Sequence, residues 1–268
     1  MIWINPSNEE SLTIRETDPA TVPQLIEIAL KGGRRLSRLP LLKRKELLLR
    51  IVSILSNRRE EISALVAVEM GKPLQFAQRE LARCIEEIQY TIEHLDEWLT
   101  PEACPGGTVY FEPLGTVAVI SPWNFPIMLP LRGIIPALAT GNGVVFKPSE
   151  LTPRCGILIS EIVQSAFQEY SEAFQIAIGG KELGKSLVEH GVDLIAFTGS
   201  TSVGKWIAAE SSKKLTRCVL ELGGLDAAIV LPDADLSKDT EQIIRANAIN
   251  SGQVCNALKR VFIHESIA

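Results

Sequence analysis

Between Thr21 and about Leu99 the apolar positions recur every three to four residues, the spacing of helices that each bury one face. Thr21 and Gln24 stand at capping-box spacing with Pro23 in the first turn, and Gly32-Gly33 predicts where this first helix stops. A second helix carries Leu41, Leu42, Leu47, Leu48, Ile51, Ile54 and Leu55 on one broad face. A third, Glu60 to Met70, is closed by Gly71 and Pro73, and a fourth fills Leu74 to Leu99. In that fourth helix Leu81, Cys84, Ile85, Ile88, Tyr90, Ile92, Leu95 and Leu99 are spaced to face a core, which makes Cys84 a packing residue.

After the turn at Pro105-Gly106-Gly107 the period changes. Thr108 to Glu112 alternates as an exposed strand does. Short apolar runs then follow at Thr116 to Ile120, Val144 to Phe146, Phe174 to Ile178, Asp193 to Phe197 and Arg217 to Leu220. Helical patterns such as Pro153 to Phe167 and Lys181 to Glu189 separate them. Strand-length runs alternating with helices predict parallel βαβ units and an α/β fold with a doubly wound parallel sheet, whose ligands gather at the carboxyl ends of the strands. Beyond Gly224 a new strand, helix and strand begin: Ala227 to Leu231, Leu236 to Asn250 and Arg260 to His264.

The chain has 268 residues, 46% of them hydrophobic and 22% charged, enough to bury a large core in one large or two modest domains. A net charge of −5 argues against nucleic acid or an anionic membrane as the main partner. The basic cluster from Lys31 to Arg50 reads as a solvated helix face. Five widely spaced cysteines, an odd number with no CxxC or Cys/His pairing, suit a reducing compartment and neither a disulfide framework nor zinc. The first residues, MIWINPSNEE, lack the basic and apolar regions of a signal peptide. The most apolar run, Ile127 to Ala139, is broken by Pro130, Arg132 and Pro136 and is too short to span a bilayer. The expected location is cytoplasmic.

The dinucleotide fingerprint GxGxxG is absent: GNGVVF from Gly141 lacks the third glycine and precedes a strand. GSTSVGK, from Gly199 to Lys205, follows a strand, opens a helix and fits a P-loop up to its last position, where Trp206 replaces the hydroxyl that would hold magnesium. The same geometry serves a pyrophosphate without metal. Gly199 lets the backbone approach, and Ser200 and the free amides of the helix start can receive the anion. Three histidines, His94, His190 and His264, form no triad or metal spacing.

Five stretches carry the chemistry: SPWNFP with Asn124, KPSE with Lys147 and Glu150, FTGS with Gly199 and Ser200, LELGG with Glu221, and NSGQVC with Cys255. In this order, and with EMGKP at Glu69 to Pro73, they resemble the aldehyde dehydrogenase superfamily over nearly the whole chain. The resemblance implies an NAD(P)-dependent oxidation of a small aldehyde to an acid, with EMGKP leaning toward semialdehydes. Cys255 is then the nucleophile, forming a thiohemiacetal and later a thioester, because a thiol attacks a carbonyl far better than a hydroxyl does. Asn124 and the Cys255 backbone N–H would form the oxyanion hole, and Glu221, beside Gly223-Gly224, would be the base. Lys147 and Glu150 would bind the adenine ribose, with Ser121, Pro122, Trp123, Gly199, Ser200, Leu222 and Gly223 along the rest of the cofactor. A carboxylate at Glu150 favours NAD over NADP. Taken one at a time, these residues have plainer readings: a turn asparagine, a surface lysine, a helix-start glutamate, a strand-end carboxylate. For cysteine the plainer reading is a buried apolar residue, and Cys155 and Cys218 take it.

The resemblance also implies a cofactor domain over residues 1–223, from which 104–113 protrudes as an oligomerisation strand, and the start of a catalytic domain at 224–268. Family chains continue past the nucleophile to an E-x-F-G-P stretch and a substrate tunnel; neither motif occurs here, Leu225-Asp226-Ala227 departs from the usual pattern, and Ile249 stands where an aromatic is common. The two expectations are thus an aldehyde-oxidising enzyme, homo-oligomeric as the family is, or a nucleotide-binding remnant without turnover. In either case an exposed apolar face is expected between Gly224 and Ala268.

Overall fold

The structure, a computed structural model, describes residues 1–268. Two short strands, β1 (Ile2–Ile4) and β2 (Ser11–Thr13), pair antiparallel before the helices begin. Helices α1 (Val22–Ser37), α2 (Leu41–Asn57), α3 (Arg59–Met70) and α4 (Leu74–Leu99) follow, with Gly71 ending α3 in the left-handed conformation that glycine adopts without strain. An exposed hairpin of β3 (Glu102–Cys104) and β4 (Gly107–Val109) leads into the sheet. Strands β5 (Thr116–Ile120), β6 (Gly143–Lys147), β7 (Phe174–Ile176), β8 (Leu194–Thr198) and β9 (Arg217–Glu221) alternate with α5 (Met128–Ala139), α6 (Pro153–Phe167), α7 (Lys181–Glu189) and α8 (Thr201–Ser212).

The five strands form one parallel sheet in the order β7-β6-β5-β8-β9, the doubly wound arrangement expected. Val117, Val119, Val144 and Phe146 pack with α2, α4, α5 and α6 on one face. Their strand neighbours Ala118 and Val145 point the other way, toward Ile207 on one side and Ala29 and Leu187 on the other. Both faces are covered, so the central strands read as unbroken apolar runs.

Several local expectations fail for identifiable reasons. Helix α1 continues through Gly32-Gly33 to Ser37. A Cβ on Gly32 would stand 2.2 Å from the Ala173 N, and one on Gly33 2.3 Å from the Gly143 N. These glycines mark close approach of a helix to neighbouring backbone, and they do not end it. No capping box forms: Thr21 is helical and caps nothing with its side chain, while Asp18 accepts from the Ala20 N–H at 2.9 Å to start the preceding turn. Ile127 to Ala139 contains a buried helix, α5, hidden from the sequence reading by its two prolines. The exposed strand predicted at Thr108 to Glu112 is the short hairpin 102–109.

After β9 the chain forms β10 (Asp226–Val230), α9 (Leu236–Ala248) and β11 (Leu258–Ile263), the two strands pairing parallel in a sheet of their own. Helix α9 buries no residue, and Ile229, Ile244, Phe262 and Ile263 are each more than half exposed, the apolar face expected there. Helix α9 ends two residues earlier than predicted: Ile249 leaves the helix at ψ 128°, and Asn250 and Ser251 then turn to positive φ, 49° and 59°. No helix in the structure is long and apolar enough to cross a membrane.

The contact between α1 and β6 sets a stability prediction. Gly33→Ala should cost about 1–3 kcal/mol, the range for overpacking a tight interior. Gly107→Ala, with nothing within 4 Å of the added carbon, should change little. Urea unfolding of the two variants checks this.

Candidate active site

The sheet order places β5 and β8 side by side while their connections run to opposite edges, the switch point at which doubly wound sheets bind ligands. Ser121 to Asn124 leave the end of β5, Gly199 and Ser200 the end of β8, and Glu221 to Gly223 the end of β9. The loop after α9 brings Cys255 to the same rim. One cavity of about 840 Å³ is lined by Ser121, Pro122, Trp123, Asn124, Gly199, Ser200, Glu221, Leu222, Gly223 and Cys255. Lys147 and Glu150 are not in its lining; they stand at the end of β6, on the other side of β5.

Backbone and amide bonds tie these loops together. Asn124 Nδ2 donates to the Gln253 carbonyl at 2.8 Å, and Asn250 Nδ2 donates to the Asn124 carbonyl at 3.2 Å. The Gly224 N–H donates to the Cys255 carbonyl at 3.1 Å, and the Gly199 N–H to the Glu221 carbonyl at 3.0 Å. Cys255 is exposed, as is the Glu221 side chain. Cys84 and Cys155 are buried, and desolvation pushes both thiols well above the usual cysteine range. Cys218 is only half-buried, less enclosed than its apolar surroundings in the sequence suggested.

The rim suits a dinucleotide. Ser200 caps α8, its Oγ accepting from the Val203 N–H at 3.3 Å, so the hydroxyl serves the helix while the Thr201 and Ser202 amides before it have no partner within the helix. A Cβ on Gly199 would lie 2.4 Å from the Phe197 ring, so packing demands this glycine before any ligand does. Ser121 Oγ is buried at the cavity edge without a hydrogen-bond partner. Lys147 is 5% exposed, not the surface lysine of the plainer reading. Its ammonium donates to the Pro148 carbonyl at 3.0 Å and pairs with Glu150 at 3.5 Å. Burial lowers its pKa, partly offset by Glu150.

Four charged residues around the site had no role of their own in the sequence reading, although Glu69 and Lys72 lie within EMGKP. Glu69 is buried and accepts from the Arg154 and Cys155 N–H groups, both at 2.6 Å, capping the start of α6 from a distant helix. Lys72 and Glu80 form a buried ion pair at 2.8 Å beside the Asn124 loop. Arg132 lines the Cys255 cavity and grips Glu87 through two bonds of 2.7 and 2.6 Å, which hold its guanidinium pKa up. One signal was available: Glu80 occupies a core-facing position of α4, between Ala77 and Leu81.

The sequence model of the Aldehyde dehydrogenase family matches residues 1–268. Lactaldehyde dehydrogenase of Escherichia coli strain K12 is 35% identical over 272 residues, covering 98% of this chain and 57% of that protein. Lactaldehyde dehydrogenase of Methanocaldococcus jannaschii is 33% identical over 287 residues, covering 99% and 61%. Among solved structures, glyceraldehyde-3-phosphate dehydrogenase GapN of M. jannaschii, complexed with NADP, superposes with a TM-score of 0.94 at 32% identity, covering 100% of this chain and 60% of that one. The chain belongs to the aldehyde dehydrogenase family. It spans about three-fifths of the length of the relatives it matches.

Burial of Glu69 raises its pKa above the ordinary carboxylate value of 4.5, its hydrogen bonds offsetting only part of the desolvation. A carboxyl whose folded pKa is raised contributes stability that is present below the unfolded value and lost as pH rises through the folded one. The stability of the wild type relative to Glu69→Gln should therefore fall as pH increases from about 4.5, then level off. Urea titrations of both proteins across that range check the slope.

Proposed function

We propose that this chain carries the cofactor half and the nucleophile of an NAD(P)-dependent aldehyde dehydrogenase. The observation that carries the reading is the convergence of Cys255, Glu221 and Asn124 on one cavity at the switch point of the sheet. In this reading residues 1–223 bind the cofactor, 224–268 begin a second domain, and the segment 104–113 serves assembly into a homo-oligomer.

The Cys255 thiolate attacks the aldehyde carbon, forming a C–S bond and a tetrahedral oxyanion. Asn124 spends one amide hydrogen on the Gln253 carbonyl and keeps the other for that oxyanion, beside the Cys255 N–H. The nicotinamide, when bound, supplies the hydride acceptor, and the carbon is left as a thioester on Cys255. Glu221 then takes a proton from water, whose oxygen attacks the thioester carbon; the acid leaves and the thiol is restored. Lys147 and Glu150 hold the adenine ribose, and the amides at the start of α8 hold the diphosphate. Arg132, a cation in the cavity wall, suits an aldehyde bearing an anionic group, in keeping with a semialdehyde. The exposed apolar face around β10, α9 and β11 supports a second reading, a nucleotide-binding chain without turnover.

Cysteine mapping and ligand titration test the proposal together. Iodoacetamide should label Cys255 ahead of Cys155 and Cys218, and equal labelling would remove it as the nucleophile. Lys147→Ala should weaken NAD binding roughly tenfold, one charge-assisted contact, and Lys205→Ala by much less. Tighter binding of ATP with magnesium than of NAD would instead make GSTSVGK a P-loop. Aldehyde-dependent NADH formation separates the enzyme from the nucleotide-binding reading.

A further inference from the structure

Lys72 and Glu80 are the most enclosed ion pair in the molecule, each side chain only 1% exposed. Their remaining contacts all fall on the loop that carries Asn124. Lys72 Nζ donates to the Asn124 carbonyl at 2.6 Å and lies 4.2 Å from the centre of the Phe125 ring. Glu80 Oε1 accepts from the Ile127 N–H at 2.9 Å and the Met128 N–H at 3.1 Å. The pair thus grips the loop on both sides of Pro126. Stability alone is a weak reason for such a pair, since the desolvation of two buried charges offsets most of their attraction and apolar side chains of similar volume serve as well.

We infer that Lys72 and Glu80 are positioning residues that set the Asn124 amide and, through it, the Cys255 loop. The inference rests on the oxyanion role proposed above for Asn124. Two bonds complete the connection: the Asn124 carbonyl that receives Lys72 also receives Asn250 Nδ2, and Asn124 Nδ2 donates to the Gln253 carbonyl, two residues before Cys255. Asn250 sits at positive φ and is 2% exposed, so its amide is held in place from its own side as well. A carboxamide donor helps an oxyanion only when its backbone is fixed, and a displacement of about 1 Å can cost roughly 10²-fold in rate.

The test compares two reactions of Cys255 in the chain as it stands. Acylation by p-nitrophenyl acetate forms a C–S bond, passes through an oxyanion and expels p-nitrophenolate. Alkylation by iodoacetamide expels iodide and forms no oxyanion. Lys72→Met, and the double variant Lys72→Met/Glu80→Gln that keeps an acceptor for Ile127 and Met128, should slow acylation by ~10- to 10²-fold and alkylation by no more than about threefold. In an Asn124→Ala background the same changes should slow acylation by less than about threefold, because the group they position is gone. Equal losses in both reactions, or a full additional loss beside Asn124→Ala, would overturn the inference. Absence of any acylation of wild-type Cys255 would defeat the proposed roles of Cys255 and Asn124, and amide hydrogen exchange then decides the positioning role alone. Faster exchange at both Ile127–Leu129 and Asn250–Cys255, with β5 and β6 still protected, supports it; unchanged exchange at Asn250–Cys255 overturns it.

Discussion

The ladder of parallel hydrogen bonds running from β7 through β6, β5 and β8 to β9 is what the remaining structure depends on. Parallel pairing points every carboxyl end to the same rim, and burial on both faces leaves that rim as the place where loops can carry polar groups. Residues as distant in the chain as Asn124, Ser200 and Glu221 become neighbours of one cavity for this reason. The loop of Cys255 comes from beyond the sheet and is attached to the rim by bonds at Gly224 and Asn124.

Buried charge is confined to a few places next to this rim, and each is compensated wholly or in part. Glu69 faces two amides at a helix start, where the dipole favours a carboxylate. Lys147 keeps a carbonyl and Glu150. Glu69 at the end of α3 and Lys72 in the turn after it each reach a segment that follows a strand: Glu69 the start of α6 beyond β6, Lys72 the loop beyond β5. A helical layer at the back of the sheet thereby fixes the order of its front edge.

Much of the architecture was legible in the sequence because its cause is local. Short apolar runs such as Thr116 to Ile120 admit few other readings, and they placed the ends of the five strands to within two residues. The grouping of Asn124, Glu221 and Cys255 was legible only through a motif order, since nothing local brings residue 255 to residue 124. What was missed depends on distant partners. Gly32-Gly33 looks like a helix stop until residues 142–143 and 172–173 are placed against it. Pro130 and Pro136 conceal α5 because the packing of Ile134 and Leu138 outweighs the hydrogen bond lost at Pro136. The Lys72–Glu80 pair was invisible because a charged residue in a turn or on a helix is normally read as solvated, and only three dimensions place the amides it serves.

The glycine pair of α1 bears on the order in which the molecule folds. Each glycine weakens an isolated helix by about 1 kcal/mol relative to alanine, so the second half of α1 has little tendency to form in solution. Its helical state is maintained by docking on β6, whose own Gly143 comes within 2.0 Å, measured from an added Cβ, of the Ala29 carbonyl. Such a segment gains its structure only once a surface exists to receive it. Helix α1 is therefore a late element: φ-values there near zero, with substitutions accelerating unfolding more than they slow folding, are its kinetic signature.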